Sequence, residues 1–220
     1  MSDNRVIAIK GIGRATAAPD LIVLIMNLEV LEPDYERTIL RSTESIEMLR
    51  AAVVAAGHDG KDLKTTSFKI NTKYESYQEH KAWKQRFMGY VCSHGLKLEF
   101  DFDMSVLGAT LGKIAECDVD PDFSIKFSIK DPNAISAQLL ESAIENAQAK
   151  AMILTRSAGV KLGAIQRIDY NWSELHIHSN TDINVSEGIL LLDAVETLGM
   201  EIEPEDISIS DTVTVVWSIE

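Results

Sequence analysis

The last quarter of the chain contains no lysine or arginine. Residues 168–220 hold twelve acidic residues and no basic one, whereas the first 167 residues carry 22 acids and 21 bases. The net charge of −13 is therefore concentrated at one end of the sequence. Because such a field repels phosphate groups, the composition argues against nucleic acid as a partner. The same residues are typical of a solvated acidic surface that keeps a protein soluble.

Cysteine and long apolar runs are also scarce. Cys92 and Cys117 are too few for a disulfide framework and show no metal-ligand spacing. Residues 1–20 have no apolar stretch of the length that a secretory signal needs. The most apolar run, residues 21–26, is far shorter than the ~20 residues of a membrane-spanning helix. We therefore expect free thiols in a reducing compartment and a cytoplasmic location, with the periplasm or cell surface as the alternative if a leader was removed.

Strand patterns dominate what is present. Period-two alternation of apolar and polar residues predicts strands at 66–77, 87–100, 123–129 and 207–219. A run that is apolar at nearly every position predicts a strand in the sheet interior at 21–31. A short strand is predicted at 6–9 and a further strand at 164–178.

Helix signals separate these strands. Apolar residues at helical spacing predict two long helices, one from Asp34 to Gly57 and one from Asp131 to Gly159. A shorter helix is predicted after Asp103. The expected architecture is an α+β fold with a largely antiparallel sheet, packed by two long amphipathic helices and one short helix. Residues 186–198 are ambiguous, a short helix at best.

Two of the strands predict a long β-hairpin with its tip at 78–85. A 14-residue strand spans about 46 Å, whereas a compact chain of this length is about 45 Å across. The hairpin arm, at about 64–102, must therefore cross the domain or project from it, and we predict a projecting hairpin. The absence of a low-complexity linker or internal repeat predicts a single domain over residues 1–220.

The hairpin combines basic and aromatic side chains. Residues 61–86 hold seven bases and three acids, with aromatic residues interleaved. Such a surface can bind nucleic acid by charge and stacking, or it can dock on an acidic surface, which this chain has in its last 53 residues. We prefer self-association between hairpin and acidic segment, and predict a homo-oligomer, with an unidentified protein partner also possible. The predicted contact residues are Tyr77, Trp83, Lys84, Arg86 and Phe87.

The candidates for a metal site are His176, His178 and Asp182. The two imidazoles share one face if their segment is extended, and two imidazoles with a carboxylate can hold zinc. The spacing leaves the geometry and any further ligand unspecified, so a polar loop or strand end is the preferred interpretation. No metal or cofactor is predicted. A small-molecule or metal-binding enzyme using the His176/His178 region is the alternative function.

Two further motifs have simpler structural interpretations. The Gly11-Ile12-Gly13 motif lacks the third glycine and the following helix of a dinucleotide loop, so turn or bulge glycines are preferred. Cys92 and His94 lie on one strand face, as a thiolate activated by imidazole requires, but the apolar residues on that face predict burial in the core. No catalytic residue is predicted.

The order of these segments carries a family resemblance. Gly11-x-Gly13 precedes Pro19-Asp20 and a buried strand, and the strand at 123–129 leads into an alanine-rich helix. That helix contains the run Ala143-x-x-x-Ala147-x-x-x-Ala151 and ends at Gly159 before Leu162-Gly163, and Pro204 precedes the terminal strand. Over nearly its whole length the chain resembles the SIMPL-domain family.

The resemblance implies an α/β domain with no established enzymatic activity and no catalytic residues to carry over. It also implies oligomers, with ring-like assemblies for some bacterial members, and export to the periplasm or cell surface for many of them. We therefore predict a non-enzymatic, self-assembling interaction or structural protein.

Overall fold

The structure, a computed structural model, describes residues 5–80, 82–170, 177–185 and 202–220. The strands in these ranges are β1 (Val6–Ala17), β2 (Leu21–Glu32), β3 (Lys64–Glu79), β4 (Ala82–Asp101), β5 (Asp122–Ser128), β6 (Leu162–Tyr170), β7 (His178–Val185) and β8 (Ile207–Ile219). The helices are α1 (Tyr35–Ala55), α2 (Met104–Ala115) and α3 (Pro132–Ala158). The predicted α+β class, with two long helices and one short one, is confirmed. Its strands are divided between two sheets, ordered β1-β8-β6 and β3-β4-β2-β5-β7.

One compact unit comprises Met1–Pro19, Ser128–Asn180 and Glu205–Glu220. Its central strand is β8, which pairs antiparallel with β1 on one side and with β6 on the other. Buried side chains of β8 pack against three small residues of α3, namely Ala143, Ala147 and Ala151. Because these residues have only a methyl side chain, the helix backbone lies close to the sheet.

The two glycines of the Gly11-Ile12-Gly13 motif lie in the middle of β1, so their interpretation as turn or bulge residues is wrong. A Cβ atom on Gly13 would lie 2.0 Å from the carbonyl oxygen of Leu139, and one on Gly11 would lie 2.0 Å from that of Ala143. Both glycines are therefore required by the close approach of α3 to the strand. The strand itself continues to Ala17, well beyond its predicted end at residue 9.

Side chains of α3 also satisfy the outer edge of β1. The backbone N–H of Ile12 donates to Asn146 Oδ1 at 3.0 Å, and that of Arg14 donates to Ser142 Oγ at 3.3 Å. The ammonium group of Lys150 donates to the carbonyl oxygen of Lys10 at 3.1 Å. The three α3 residues recur every four positions and so lie along one face of the helix. They occupy the backbone groups to which an added strand would bind.

A second compact unit comprises Asp20–Phe127 and Thr181–Pro204. Here β2 lies inside the five-stranded sheet, which explains why it is apolar on both faces. Helices α1 and α2 contribute to the core over this sheet, with Leu49, Leu107 and Leu111 fully buried. The predicted helix starts are confirmed, because Asp34 and Asp103 each accept a backbone N–H of the first turn.

The hairpin formed by β3 and β4 is longer than predicted. The strands reach Glu79 and restart at Ala82, so most of the predicted tip at 78–85 belongs to the ladder. The strand predicted at 164–178 corresponds to β6 and the start of β7, with residues 171–176 outside the described ranges. The ambiguous segment 186–198 also lies outside them. The single domain over 1–220 stays a prediction.

Candidate functional site

The distal half of the hairpin is a two-stranded ribbon that is exposed on both faces. From residue 71 onwards, nearly every residue of β3 is exposed, as are residues 82–87 of β4. A two-stranded ribbon with no covered face is marginally stable in water. This part of the sheet therefore contributes little to the core of its own unit and offers a large surface to other molecules.

A β-bulge at Gly89 sets which side chains share a face of the ribbon. The strand register passes from Lys73 opposite Gly89 to Tyr74 opposite Phe87, which leaves Met88 as an extra residue in β4. Gly89 has φ +143°, and a Cβ atom there would lie 2.3 Å from the carbonyl oxygen of Glu32. In the core, the even-numbered residues of β4 face the helices. Beyond the bulge, in the ribbon, the odd-numbered residues of β4 take this face.

One face of the ribbon is consequently aromatic. Tyr74 is 54% exposed, Trp83 is 74% exposed and Phe87 is 44% exposed, and we call these three residues the aromatic face. The rings of Tyr74 and Phe87 meet edge to face at 5.6 Å, and Phe87 meets Tyr90 at 5.4 Å. Tyr90 in turn contacts Tyr35, the first residue of α1, at 5.5 Å. The core face of the sheet thus continues beyond the end of the helix that covers it.

The opposite face of the ribbon is charged. Arg86 lies across from Glu75 and donates to its carboxylate at 2.6 Å, and Lys84 forms an ion pair with Glu79. Tyr77 stands between these pairs, across from Lys84. Two of the basic residues that were expected to attract an acidic partner are therefore already neutralised within the hairpin. Their exposed ion pairs add little stability because solvent screens them.

The five predicted contact residues are all exposed but do not form one patch. Trp83 and Phe87 lie on the aromatic face, whereas Tyr77, Lys84 and Arg86 lie on the charged face. Tyr74 is a further member of the aromatic face that the sequence prediction left out of the contact set. Its alternation within β3 marked it as a strand residue, but its pairing with Phe87 depends on the bulge.

Comparison with known proteins identifies the family. The sequence profile of the SIMPL family, described as proteins of unknown function (DUF541), matches residues 7–217. The chain belongs to the SIMPL family. This match confirms the predicted resemblance. The description of the family gives no function.

Two curated proteins are similar to this SIMPL chain. Each is named "26 kDa periplasmic immunogenic protein", one from Brucella melitensis biotype 1 and one from Brucella abortus strain S19. Each is 27% identical over 165 residues, which are 74% of this chain and 65% of the relative. The match thus spans slightly less than two thirds of the length of these relatives.

The names of these relatives contradict the predicted cytoplasmic location. That prediction rested on the two cysteines, taken as a sign of a reducing compartment, and on the lack of a secretory-signal pattern in residues 1–20. The structure gives another reason for free thiols, because Cys92 is fully buried and its thiol donates to Ser42 Oγ at 3.2 Å. Cys117 donates to the carbonyl oxygen of Ile114 at 2.9 Å. Burial of Cys92 is a reason for a free thiol that does not depend on a reducing compartment. Among the described residues no helix has the length and apolarity to span a membrane.

Cys92 and His94 are core residues of the SIMPL fold, as predicted. His94 is 7% exposed, its Nε2 lies 2.9 Å from Thr65 Oγ1, and its ring meets Phe68 edge to face at 5.2 Å. Burial lowers the pKa of His94. Burial likewise lowers the pKa of His58, against the smaller opposing effect of Asp62. Both imidazoles are therefore neutral parts of the folded second unit near neutral pH.

Because the pKa values of these two histidines are lowered, we expect the protein to lose stability on acidification. Between the lowered pKa values and the ordinary value of about 6.5, the unfolded chain binds protons that the folded chain does not. The free energy of unfolding is therefore expected to be highest above pH 6.5 and to fall as the pH drops below it. Urea denaturation at pH 7.5, 6.5 and 5.8 measures this slope. His94→Leu should flatten it, whereas His80→Gln, at an exposed position in the hairpin turn, is the control. An unchanged slope in His94→Leu would contradict the assignment.

The metal candidates are not brought together in the described ranges. His176 lies outside them, while His178 and Asp182 are exposed residues of β7. No group of three potential metal ligands occurs among the residues that the structure describes. A metal site at His176, His178 and Asp182 stays a hypothesis.

A shallow depression of about 340 Å³ is lined by residues of α1, α2 and the following turn. Its floor is apolar and includes Met48, Ala52 and Cys117. Burial raises the pKa of the Cys117 thiol, so this sulfur is held as the weakly nucleophilic thiol. Lys113, at the rim, is engaged by Glu116 at 2.7 Å. Charged groups do not converge in this depression as they would in an acid–base site.

Proposed function

We propose that this SIMPL protein is a non-enzymatic interaction protein of the periplasm that assembles with copies of itself through the hairpin. The observation that carries the proposal is the aromatic face. Tyr74, Trp83 and Phe87 continue the core face of the sheet beyond Tyr35, where α1 begins. Exposed aromatic residues on one face mark a surface that another protein covers.

The partner on the hairpin is a second copy. The acidic C-terminal segment supplies the charge that complements the hairpin, because Glu203, Glu205 and Asp206 are exposed and residues 168–220 contain no basic residue. On the hairpin, Lys69 and Lys73 are exposed residues of β3 that add positive charge on the face opposite the aromatic face. Hairpin and acidic segment are different surfaces of the chain, so the contact either is made twice in a two-fold dimer or repeats head to tail into a ring or a filament.

The periplasmic location is taken from the two Brucella relatives, which are named periplasmic. The self-assembling role is supported by the hairpin. A small-molecule or metal-binding enzyme using the His176/His178 region stays the alternative, and no feature of the described residues favours it.

Removal of the aromatic face is expected to abolish assembly through the hairpin without unfolding the chain. In the double variant Trp83→Ser, Phe87→Ser, the particle mass measured by light scattering after size exclusion should fall from that of the parent oligomer to that of a smaller species. Far-UV circular dichroism should remain that of the parent, because both residues lie outside the core. Met152→Ser, a similarly exposed apolar residue of α3, is the matched control and should retain the oligomer.

Salt separates the two sources of affinity. If charge on the acidic segment provides the contact, the oligomer present at 50 mM NaCl should dissociate at 500 mM, since screening shortens the range of the attraction. If burial of the aromatic face dominates, the oligomer should persist. A parent chain that is monomeric at both salt concentrations would refute the proposed function.

A further inference from the structure

The two edges of the three-stranded sheet differ in their protection. At β1, the side chains of Ser142, Asn146 and Lys150 occupy backbone groups of the outer edge. At β6, no described strand pairs with the edge that faces away from β8. An edge strand with unoccupied N–H and C=O groups is a template for pairing with another strand. Only one edge of this sheet is closed by the helix.

The open edge also carries exposed apolar side chains. Ile165 and Ile168 of β6 are each 51% exposed. They pair with Trp217 and Val215 of β8, which are buried against α3, so they lie on the same face of the sheet as the helix. The contacts of α3 are mainly with β1 and β8 and only slightly with β6. The helix therefore leaves this part of the apolar face uncovered.

The sequence of β6 is complementary to itself in one register. When two antiparallel copies meet with Ile168 opposite Ile168, Arg167 of each lies opposite Asp169 of the other. Within one chain these two residues already form an ion pair at 2.8 Å, so both charges lie on the same side of the strand. Two-fold pairing thus produces two cross-strand pairs of opposite charge on one face and an isoleucine contact on the other. Copies that each carry −13 repel at long range, so association needs such local complementarity.

We propose that β6 pairs antiparallel with β6 of a second copy about a two-fold axis at Ile168. The product is a continuous six-stranded sheet in the order β1-β8-β6-β6-β8-β1. Its two outermost strands are both β1, whose edges α3 closes, so the sheet ends at two copies and does not grow into a fibre. This contact is independent of the hairpin contact, and it can be present when the hairpin contact is absent.

Charge reversal tests the pairing and its register. The full chain carrying Trp83→Ser and Phe87→Ser, which removes the hairpin contact, is used as the parent, and the dimer Kd is measured by sedimentation equilibrium at low salt. Arg167→Asp and Asp169→Arg should each raise Kd by about tenfold, because both symmetry-related pairs become repulsive. The double variant Arg167→Asp, Asp169→Arg should return Kd to within about threefold of the parent.

A monomeric parent would overturn the β6 contact while leaving the hairpin proposal standing. If the single variants leave Kd unchanged, or if the double variant does not return Kd towards that of the parent, the proposed register is wrong. Loss of the larger oligomer in the hairpin variant with retention of a dimer distinguishes the two surfaces.

Cysteine cross-linking provides a second readout of the register. In a Cys117→Ser background, Ile168→Cys places two thiols directly opposite each other, within the Cα spacing that a disulfide spans. Mild oxidation should give a covalent dimer on non-reducing electrophoresis. Gln166→Cys is the matched control, since its two copies would be about 13 Å apart along the strands. Equal cross-linking of the two variants, or capture of a different protein's strand in place of a second copy, would overturn the proposal.

Discussion

Gly13→Ala is expected to lower the free energy of unfolding by about 3 kcal/mol. The new methyl group would lie 2.0 Å from the carbonyl oxygen of Leu139, and this atom belongs to the backbone of α3. A flexible side chain could move aside, but a helix backbone can move only as a unit. The shift would also loosen the contacts that Ser142 and Asn146 make with the edge of β1. Urea denaturation followed by circular dichroism measures the effect.

Gly112→Ala is the matched control for this substitution. Gly112 lies in α2, where a Cβ atom would meet no atom within 4 Å. Alanine is the better helix former, so the protein should gain about 0.5–1 kcal/mol. If both substitutions had the same sign, close packing would not be the reason for the glycine in β1.

Leu98→Ala is expected to cost about 2–5 kcal/mol and to lower Tm by roughly 10 °C. Leu98 is fully buried in β4 and belongs to the main core of the second unit. Its removal leaves a cavity that the neighbouring strands of the sheet cannot fill. Differential scanning calorimetry of the purified chain gives the shift in Tm.

Trp83→Ala, in the same strand, is the contrasting substitution. The ring is 74% exposed, so stability of the monomeric chain should change by no more than about 0.5 kcal/mol. A loss comparable to that of Leu98→Ala would show that the distal ribbon is part of the folded core. The aromatic face would then have a structural role, and the proposed assembly surface would be wrong.

Much of the fold follows from local patterns in the sequence. Alternation of apolar and polar residues located the hairpin strands and β8, and the acidic residues Asp34 and Asp103 marked helix starts. These signals work because each depends on residues that are close together in the chain. The SIMPL resemblance was also visible in the order of such segments and was confirmed by the profile match.

Features that depend on distant contacts were predicted less well. The role of Gly11 and Gly13 is set by a helix about 130 residues away, so no local pattern distinguishes it from a turn. Alternation shows which face of a strand is buried, but it does not show which strand lies beside it, and the division into two sheets was not predicted for this reason. At the candidate site, the extra residue at Met88 places Trp83 and Phe87, and not Lys84 and Arg86, on the face that carries Tyr90. This effect becomes visible only with the strand register.

The pairing of β1 with β8 joins two strands that are far apart in the sequence. Val6 lies opposite Ser218, so β1 has its partner only after β8 has been synthesised. The continuous segment Asp20–Phe127, by contrast, makes most of the second unit early. Contacts between residues this far apart form slowly. A truncation that removes β8 would consequently leave β1 without its neighbour, even though most of the intervening chain could still fold.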